Sequence, residues 1–197
     1  MKTPRSGYVK KLRKLRELSL FSGYGGMTLG LRLAGWPVET VAYVESDPWC
    51  QRVLRARMDD GSLDVGDIHG DIREFGAEQY AGRIDRVTGG FPCQPHSHAG
   101  SRKIAKGESD PRNLWPETRE VIRVVGPRWV VLEYVPGILS GNDGRQGFGI
   151  SVLGELSELG VDGKWGVYSA ADAGAPHLRK RWWVLAHAQH KGHQTGL

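Results

Sequence analysis

The residues best suited to chemistry lie in short groups, each at the end of an apolar run. Cys93 sits in Gly89-Gly90-Phe91-Pro92-Cys93-Gln94-Pro95-His96-Ser97, just after an apolar segment, 84–87, that reads as a buried strand. A thiol where a strand opens into a loop is placed to reach a substrate as a nucleophile. A small buried cysteine in a turn leaves the same local signature. The second group is Phe21-Ser22-Gly23-Tyr24-Gly25-Gly26, between a first apolar run and the helically spaced residues 27–34. Glycines admit a ligand close to the backbone, and a helix N-terminus offers free N–H groups, an arrangement that suits a nucleotide. The spacing is not the dinucleotide fingerprint, and a structural tight turn has similar composition. Glu45 closes the apolar run 40–44, where folds of this kind bind ribose hydroxyls. Asp71 and Ile72 follow Gly70 in an acid-bearing segment suited to the end of a third strand. Glu133 ends the strongly apolar run 129–132, and a carboxylate at that tip can converge on Cys93. His187, His190 and His193 have a metal-like spacing, but no matching cysteine or carboxylate accompanies them, so no metal site is expected.

These groups need a scaffold that brings strand ends together. Strands are expected at 17–21, 40–44, 67–72, 83–88 and 129–132, with two more at 167–170 and 182–186 that suit a hairpin. Helices are expected at 27–34, 48–58, 114–125 and 148–159. Pro48 stands near the start of the second, where its missing N–H costs nothing. The alternation predicts an α/β fold, a doubly wound, mainly parallel sheet. The loop 94–112, with Gly100, Lys103, Lys106 and Gly107, is long enough for a lid or binding loop. The chain divides into a basic extension (1–16), one catalytic domain (17–188) and a polar tail (189–197). The extension can follow phosphates or lie solvated.

Composition narrows the class. The 197 residues are 25% charged and 39% hydrophobic, as in one globular domain with a sizeable core. No apolar run approaches membrane-spanning length, and no signal-peptide core follows the basic N-terminus, so no membrane partner is expected. Two cysteines, Cys50 and Cys93, make no disulfide framework and suit a reducing, cytoplasmic setting. The net charge of +5 permits a polyanion as partner without requiring one.

Together the groups resemble the C5-cytosine DNA methyltransferase family, enzymes of restriction–modification among them. The loop Phe21 to Gly26 looks like the family's S-adenosylmethionine loop, and Pro92-Cys93-Gln94 like its catalytic motif. Glu133-Tyr134-Val135 resembles Glu-Asn-Val, and Ala171 to Arg181 resembles the Gln-x-Arg-x-Arg motif with its upstream Ala-Asp-x-Gly-x-Pro. The resemblance runs from about Leu18 to Ala188, with the motifs in family order. Tyr134 stands where the family usually has Asn, and His177 where it has Gln.

The resemblance implies a Rossmann-like fold, S-adenosyl-L-methionine as cofactor and double-stranded DNA as partner. It assigns Cys93 to attack on cytosine C6, Glu133 to N3, Arg181 to O2, and Arg179 to the site or a phosphate. For the cofactor it implies Phe21, Ser22, Gly23, Gly25 and Gly26 as the cradle. Glu45 takes the ribose, Asp71 and Ile72 the adenine, and Pro92 the methionine part. The family's target-recognition region and last motifs are not seen. The chain is then a subunit whose recognition half is a second chain, a fragment, or a minimal enzyme. Two other functions stay open at this point: a catalytically inactive remnant that binds nucleic acid or cofactor, and an RNA cytosine-C5 methyltransferase.

Overall fold

The computed structural model describes residues 13–92, 113–140 and 147–189. Cys93, the lysines of the loop 94–112, most of the basic extension, and His190 and His193 lie outside the described residues. Among the described residues seven strands form one sheet: β1 (Leu15–Leu20), β2 (Val38–Val44), β3 (Asp67–His69), β4 (Arg86–Gly89), β5 (Trp129–Tyr134), β6 (Val161–Tyr168) and β7 (Arg181–Ala188). The α-helices described with them are α1 (Gly26–Leu33), α2 (Pro48–Asp59), α3 (Trp115–Val125) and α4 (Phe148–Glu158). The order across the sheet is β3-β2-β1-β4-β5-β7-β6. The first five strands are mutually parallel, and β7 runs antiparallel to both β5 and β6. The expected mainly parallel sheet and the closing hairpin are both present.

The strands follow from their burial. Along β1, Leu18 and Leu20 face one side and Glu17 and Ser19 the other, and all four are buried. A parallel strand covered on both faces loses the simple polar–apolar alternation. On one face, Leu18, Leu20, Val44, Val87, Val130, Leu132 and Val184 pack with Val121, Ile122 and Val125 of α3 and Val152 and Leu156 of α4. On the other, Tyr43 packs with Leu54 of α2 and Leu63. Beneath α1 the layer is polar. The Glu17 carboxylate accepts hydrogen bonds from the hydroxyls of Thr28, Thr40 and Thr88 at 2.9, 2.6 and 3.0 Å. It also pairs with Arg86 at 3.1 Å, both side chains being fully buried. This cluster joins β1, β2, β4 and α1.

The helix ends carry their own signals. Asp47 caps α2, its carboxylate accepting from the Trp49 and Cys50 N–H groups. Gly126, in the left-handed conformation at φ 62°, ends α3. Two expectations are corrected. The sixth strand begins at Val161, not at 167, because its Asp162, Gly163, Lys164 and Gly166 read as a turn while forming an exposed edge strand. The last strand runs from Arg181 to Ala188, beyond the expected 182–186: Trp129 lies opposite His187, their rings 4.3 Å apart. Among the described residues no three His, Cys, Asp or Glu side chains are grouped to hold a metal, and no helix is long and apolar enough to cross a membrane.

Candidate active site

The sheet order reverses between β1 and β4. In open α/β sheets the carboxyl ends of the strands at such a point form a crevice for ligands. The register sets these ends level: Leu20 lies opposite Val44 and Gly89, Gly89 opposite Leu132, and Val44 opposite His69. The residues that follow, Phe21, Glu45, Asp71, Pro92 and Glu133, therefore share one edge.

At the β1 end the chain turns sharply. Phe21 has φ 51°, and Gly23 and Gly25 have φ 52° and 80°. A non-glycine residue in this region carries strain and clusters at functional sites. The Gly25 N–H donates to the Ser22 carbonyl at 2.8 Å, closing the turn. Gly25 caps α1 without a side chain, so the N–H groups of the first turn have no side-chain acceptor at the cap. A Cβ on Gly23 or Gly26 would meet no protein atom within 4 Å, so the outer face of the loop is open. Glu45 is tied to this loop. One of its carboxylate oxygens accepts from the Gly23 N–H and the other from the Asp47 N–H, both at 2.8 Å. Each oxygen keeps a second lone pair for a hydroxyl. Asp71 caps a 3-10 turn, Ile72–Glu74, accepting from the Arg73 N–H at 2.9 Å, while Ile72 is buried beside it.

At the β4 and β5 ends the site is electrostatic. Arg181 Nε meets Glu133 Oε1 at 2.5 Å, each side chain about a quarter exposed. Burial pushes the Glu133 carboxyl above its usual range, outweighing the Arg181 and Arg179 guanidinium groups, which pull it down. A Cβ on Gly90 would lie 3.1 Å from Glu133 Oε2, so glycine there leaves room for the carboxylate. Tyr134, buried between strands, donates its hydroxyl to the Pro92 carbonyl at 3.3 Å.

The arginines are presented by the loop before β7. The Ser169 N–H donates to the Asp172 carboxylate at 2.7 Å, and the Asp172 N–H donates back to the Ser169 hydroxyl at 3.1 Å. The Ala170 N–H reaches the Leu178 carbonyl at 2.8 Å, closing the loop base. Arg179 is exposed, in the positive-φ region at 32°.

The structure thus brings Phe21, Ser22, Gly23, Gly25, Gly26, Glu45, Asp71, Ile72, Pro92, Glu133, Arg179 and Arg181 to one edge of the sheet, with Cys93 the residue after Pro92. Cys50 is half-buried in the first turn of α2. Burial and then the Glu45 and Asp47 carboxylates push its thiol upward, away from the reactive thiolate. Sequence reasoning missed Gly90, the Tyr134 hydroxyl, and the reciprocal bonds of Ser169 and Asp172. Only the last had a local signal, a hydroxyl residue three positions before an acid.

The sequence profile described as C-5 cytosine-specific DNA methylase matches residues 15–195. The chain is 35% identical over 165 residues to type II methyltransferase M.NgoMIV of Neisseria gonorrhoeae, covering 84% of this chain and 49% of that protein. It is 34% identical to type II methyltransferase M.AquIA of Picosynechococcus sp., covering 85% and 70% of the two chains. The crystal structure of the S. pombe Dnmt2 methyltransferase superposes with a TM-score of 0.68 at 24% identity, over 91% of this chain and 50% of that one. The Entamoeba histolytica methyltransferase EhMeth gives 0.69 at 16%, over 94% and 57%. These two likenesses concern the fold. The chain spans about half the length of the first of these relatives.

Proposed function

The chain belongs to the C-5 cytosine-specific DNA methylase family, and we propose that it forms the catalytic half of a DNA cytosine-C5 methyltransferase. The observation that carries this reading is the Glu133–Arg181 pair on the same edge as Pro92 and the glycine loop.

The residues present fit S-adenosylmethionine. The loop from Phe21 to Gly26 has an open outer face, the α1 N-terminus lacks a side-chain cap, and Glu45 is held with lone pairs to spare. When bound, the cofactor supplies an electrophilic methyl group on a sulfonium. Glu45 would hold its ribose, Asp71 and Ile72 its adenine, and Pro92 its methionine part.

Cytosine C5 is a poor nucleophile until the ring is activated. The Cys93 thiolate adds to C6, forming an S–C6 bond and moving the 5,6 π electrons toward C5. Glu133, whose carboxyl burial pushes above its usual range, donates a proton to N3 as negative charge builds there. Arg181 presents a fixed guanidinium fork to O2, and Arg179 holds the site from its exposed side. After C5 has gained the methyl group, its proton leaves to solvent. Those electrons restore the 5,6 double bond and expel Cys93 as thiolate, and the N3 proton returns to the Glu133 carboxylate. The base is reached only out of the stack, so the substrate is a flipped cytosine in duplex DNA. The sequence-reading part of the enzyme is supplied outside these residues, by a second chain or by further sequence.

Duplex DNA carrying 5-fluorocytosine tests the reading, because fluorine cannot leave C5 as a proton does. With cofactor present, a covalent complex should form and map to Cys93, and Cys93→Ser should abolish it. Trapping that persists in Cys93→Ser, or maps to Cys50, refutes the assignment. A chain that forms no adduct alone is retested with an added partner carrying the recognition half.

A further inference from the structure

We propose that the outer edge of β6 is a self-complementary surface through which two copies of this chain pair across a two-fold axis. β6 is the last strand of the sheet and pairs on one side with β7. The ladder decides which of its backbone groups face outward. The Ala188 N–H donates to the Arg128 carbonyl, so the even-numbered residues of β7 bond toward β5. The Gln189 N–H donates to the Gly160 carbonyl, so the odd-numbered ones bond toward β6 and meet its even-numbered residues. The N–H and C=O groups of Val161, Gly163, Trp165 and Val167 therefore point away from the sheet. Among the described residues nothing pairs with them. An edge strand that also exposes apolar side chains is a template for another strand. Trp165, Val167 and Tyr168 are 48%, 39% and 60% exposed.

Charge selects a second copy as the partner, and it selects the register. Asp162 and Lys164 are the charged residues of β6, both exposed and on one face. When two copies of the strand run antiparallel, hydrogen-bonded pairs form between outward-facing residues, so odd-numbered residues meet odd-numbered ones. With Gly163 opposite its own copy, Asp162 of each chain faces Lys164 of the other. Both contacts fall at the close, non-hydrogen-bonded positions, where opposite charges attract most. A shift of two residues in either direction sets Asp162 against Asp162 or Lys164 against Lys164, and like charges directly opposite destabilise. Shifted further toward Tyr168, Lys164 faces Gly166 and Asp162 faces Tyr168, and neither charge is paired. On the other face, the favoured register carries Trp165 of one copy opposite Val161 of the other. It arrives at a cleft of about 120 Å³ whose lining includes Leu153, Leu156, Val161 and Trp165. No side chain at Gly163 stands between the two indoles. The two sheets become one, and the two crevices open in opposite directions because the copies are antiparallel. Val161 to Trp165 on each copy make a small interface, of the class burying under about 1,200 Å² in total, so association is weak and concentration-dependent.

Sedimentation equilibrium of the full chain, from micromolar to millimolar concentration, tests the pairing. The mean mass should rise from that of one chain toward that of two. Lys164→Asp turns both attractive pairs into repulsive ones and should weaken association about tenfold or more. Adding Asp162→Lys to that variant restores opposite charges in reverse order, and association should return to within about threefold of the parent. A chain that stays single at every concentration overturns the proposal, including the case in which a different protein takes this edge. Association that Lys164→Asp leaves unchanged, or that the folded double variant does not recover, overturns the edge and its register. Asp162 also accepts from the Gln189 side chain at 2.9 Å, so a double variant that fails to fold is replaced by residue-resolved amide exchange on the parent. The outward N–H groups of Gly163 and Trp165 should then slow as concentration rises, while those of Lys164 and Gly166, already bonded to β7, keep their rates. Rates at Gly163 and Trp165 that ignore concentration overturn the pairing.

Discussion

Replacing Glu17 by glutamine should destabilise the whole domain without touching the active-site surface. Glu17 and Arg86 are both fully buried and 3.1 Å apart. The substitution keeps the volume and leaves one amide oxygen for the threonines, but removes the only carboxylate paired with Arg86 among the described residues. The face of Trp36, its centroid 5.2 Å from the guanidinium carbon, remains in both chains and is worth about 2 kcal/mol when desolvated. Burial already pushes the Arg86 pKa below its usual value against the pull of Glu17, so the cation is costly even when paired. Leaving one partner of a buried pair alone costs about 3–5 kcal/mol. Set against a total of about 5–15 kcal/mol, this is a large fraction. At roughly 2–4 °C per kcal/mol for a chain of this size, the melting midpoint should fall by about 6–20 °C. Urea unfolding followed by tryptophan fluorescence should show a lower midpoint with an unchanged slope. Adding Arg86→Met to the Glu17→Gln chain should recover more than half of the loss, since it removes the buried cation that the first change leaves unpaired. A loss below about 1 kcal/mol, or no recovery in the double variant, would refute the claim that this pair governs the polar layer under α1.

Glu45→Ala should weaken S-adenosylmethionine binding by about tenfold or more in titration calorimetry, the scale of hydrogen bonds to a charged group; unchanged affinity would remove Glu45 from the ribose site. Glu133 has a folded pKa raised by burial, so its contribution to stability is full below the unfolded carboxyl pKa and is lost as pH rises through the folded value. The melting midpoint of Glu133→Gln minus that of the parent should therefore climb with pH across the carboxylate range; a difference that is flat or falls contradicts the raised pKa. Any DNA affinity of the isolated chain should be mostly electrostatic and poorly selective, falling steeply with log salt as phosphate contacts release counterions. A flat response in a binding titration, or strong site preference, would contradict this.

The parts of the fold legible in the sequence share one physical feature. β2 and β5 are short, mostly apolar runs ended by an acid, because each is largely buried and emerges at the crevice, and β4, buried throughout, ends in glycine. β6 lacks that signature. Most of its residues are exposed, and Gly163 and Gly166 interrupt it; it is held by pairing to β7 rather than by its own burial. His187 fell outside the expected strand 182–186 because it is polar, yet the ring of Trp129 and the Arg128 guanidinium, 3.1 Å from its Nε2, give it a place on the sheet. The candidate site was legible as single residues at strand ends. The contacts between them were not, because they depend on pairs far apart in the chain, such as Gly23 with Glu45 or Tyr134 with Pro92.

The Glu133–Arg181 pair shows how topology assembles the candidate site. Glu133 lies at the carboxyl end of β5, and Arg181 at the start of β7. Were β7 parallel to β5, its start would lie at the opposite edge, about 20 Å away for a six-residue strand. The antiparallel register instead sets Glu133 opposite Trp183 and Tyr134 opposite Trp182. Arg181, two residues before Trp183, then points to the same face as Glu133 and is its diagonal neighbour. Such neighbours lie about 7–8 Å apart, within reach of a long side chain. The burial of β7, which lies between β5 and β6, enforces that register as far as the pairing of Trp129 with His187, since a one-residue slip would turn Trp182, Val184 and Ala186 out of the core. The core packing of β7 therefore decides which arginine meets the carboxylate, and the chemistry at the crevice depends on buried residues that never touch it.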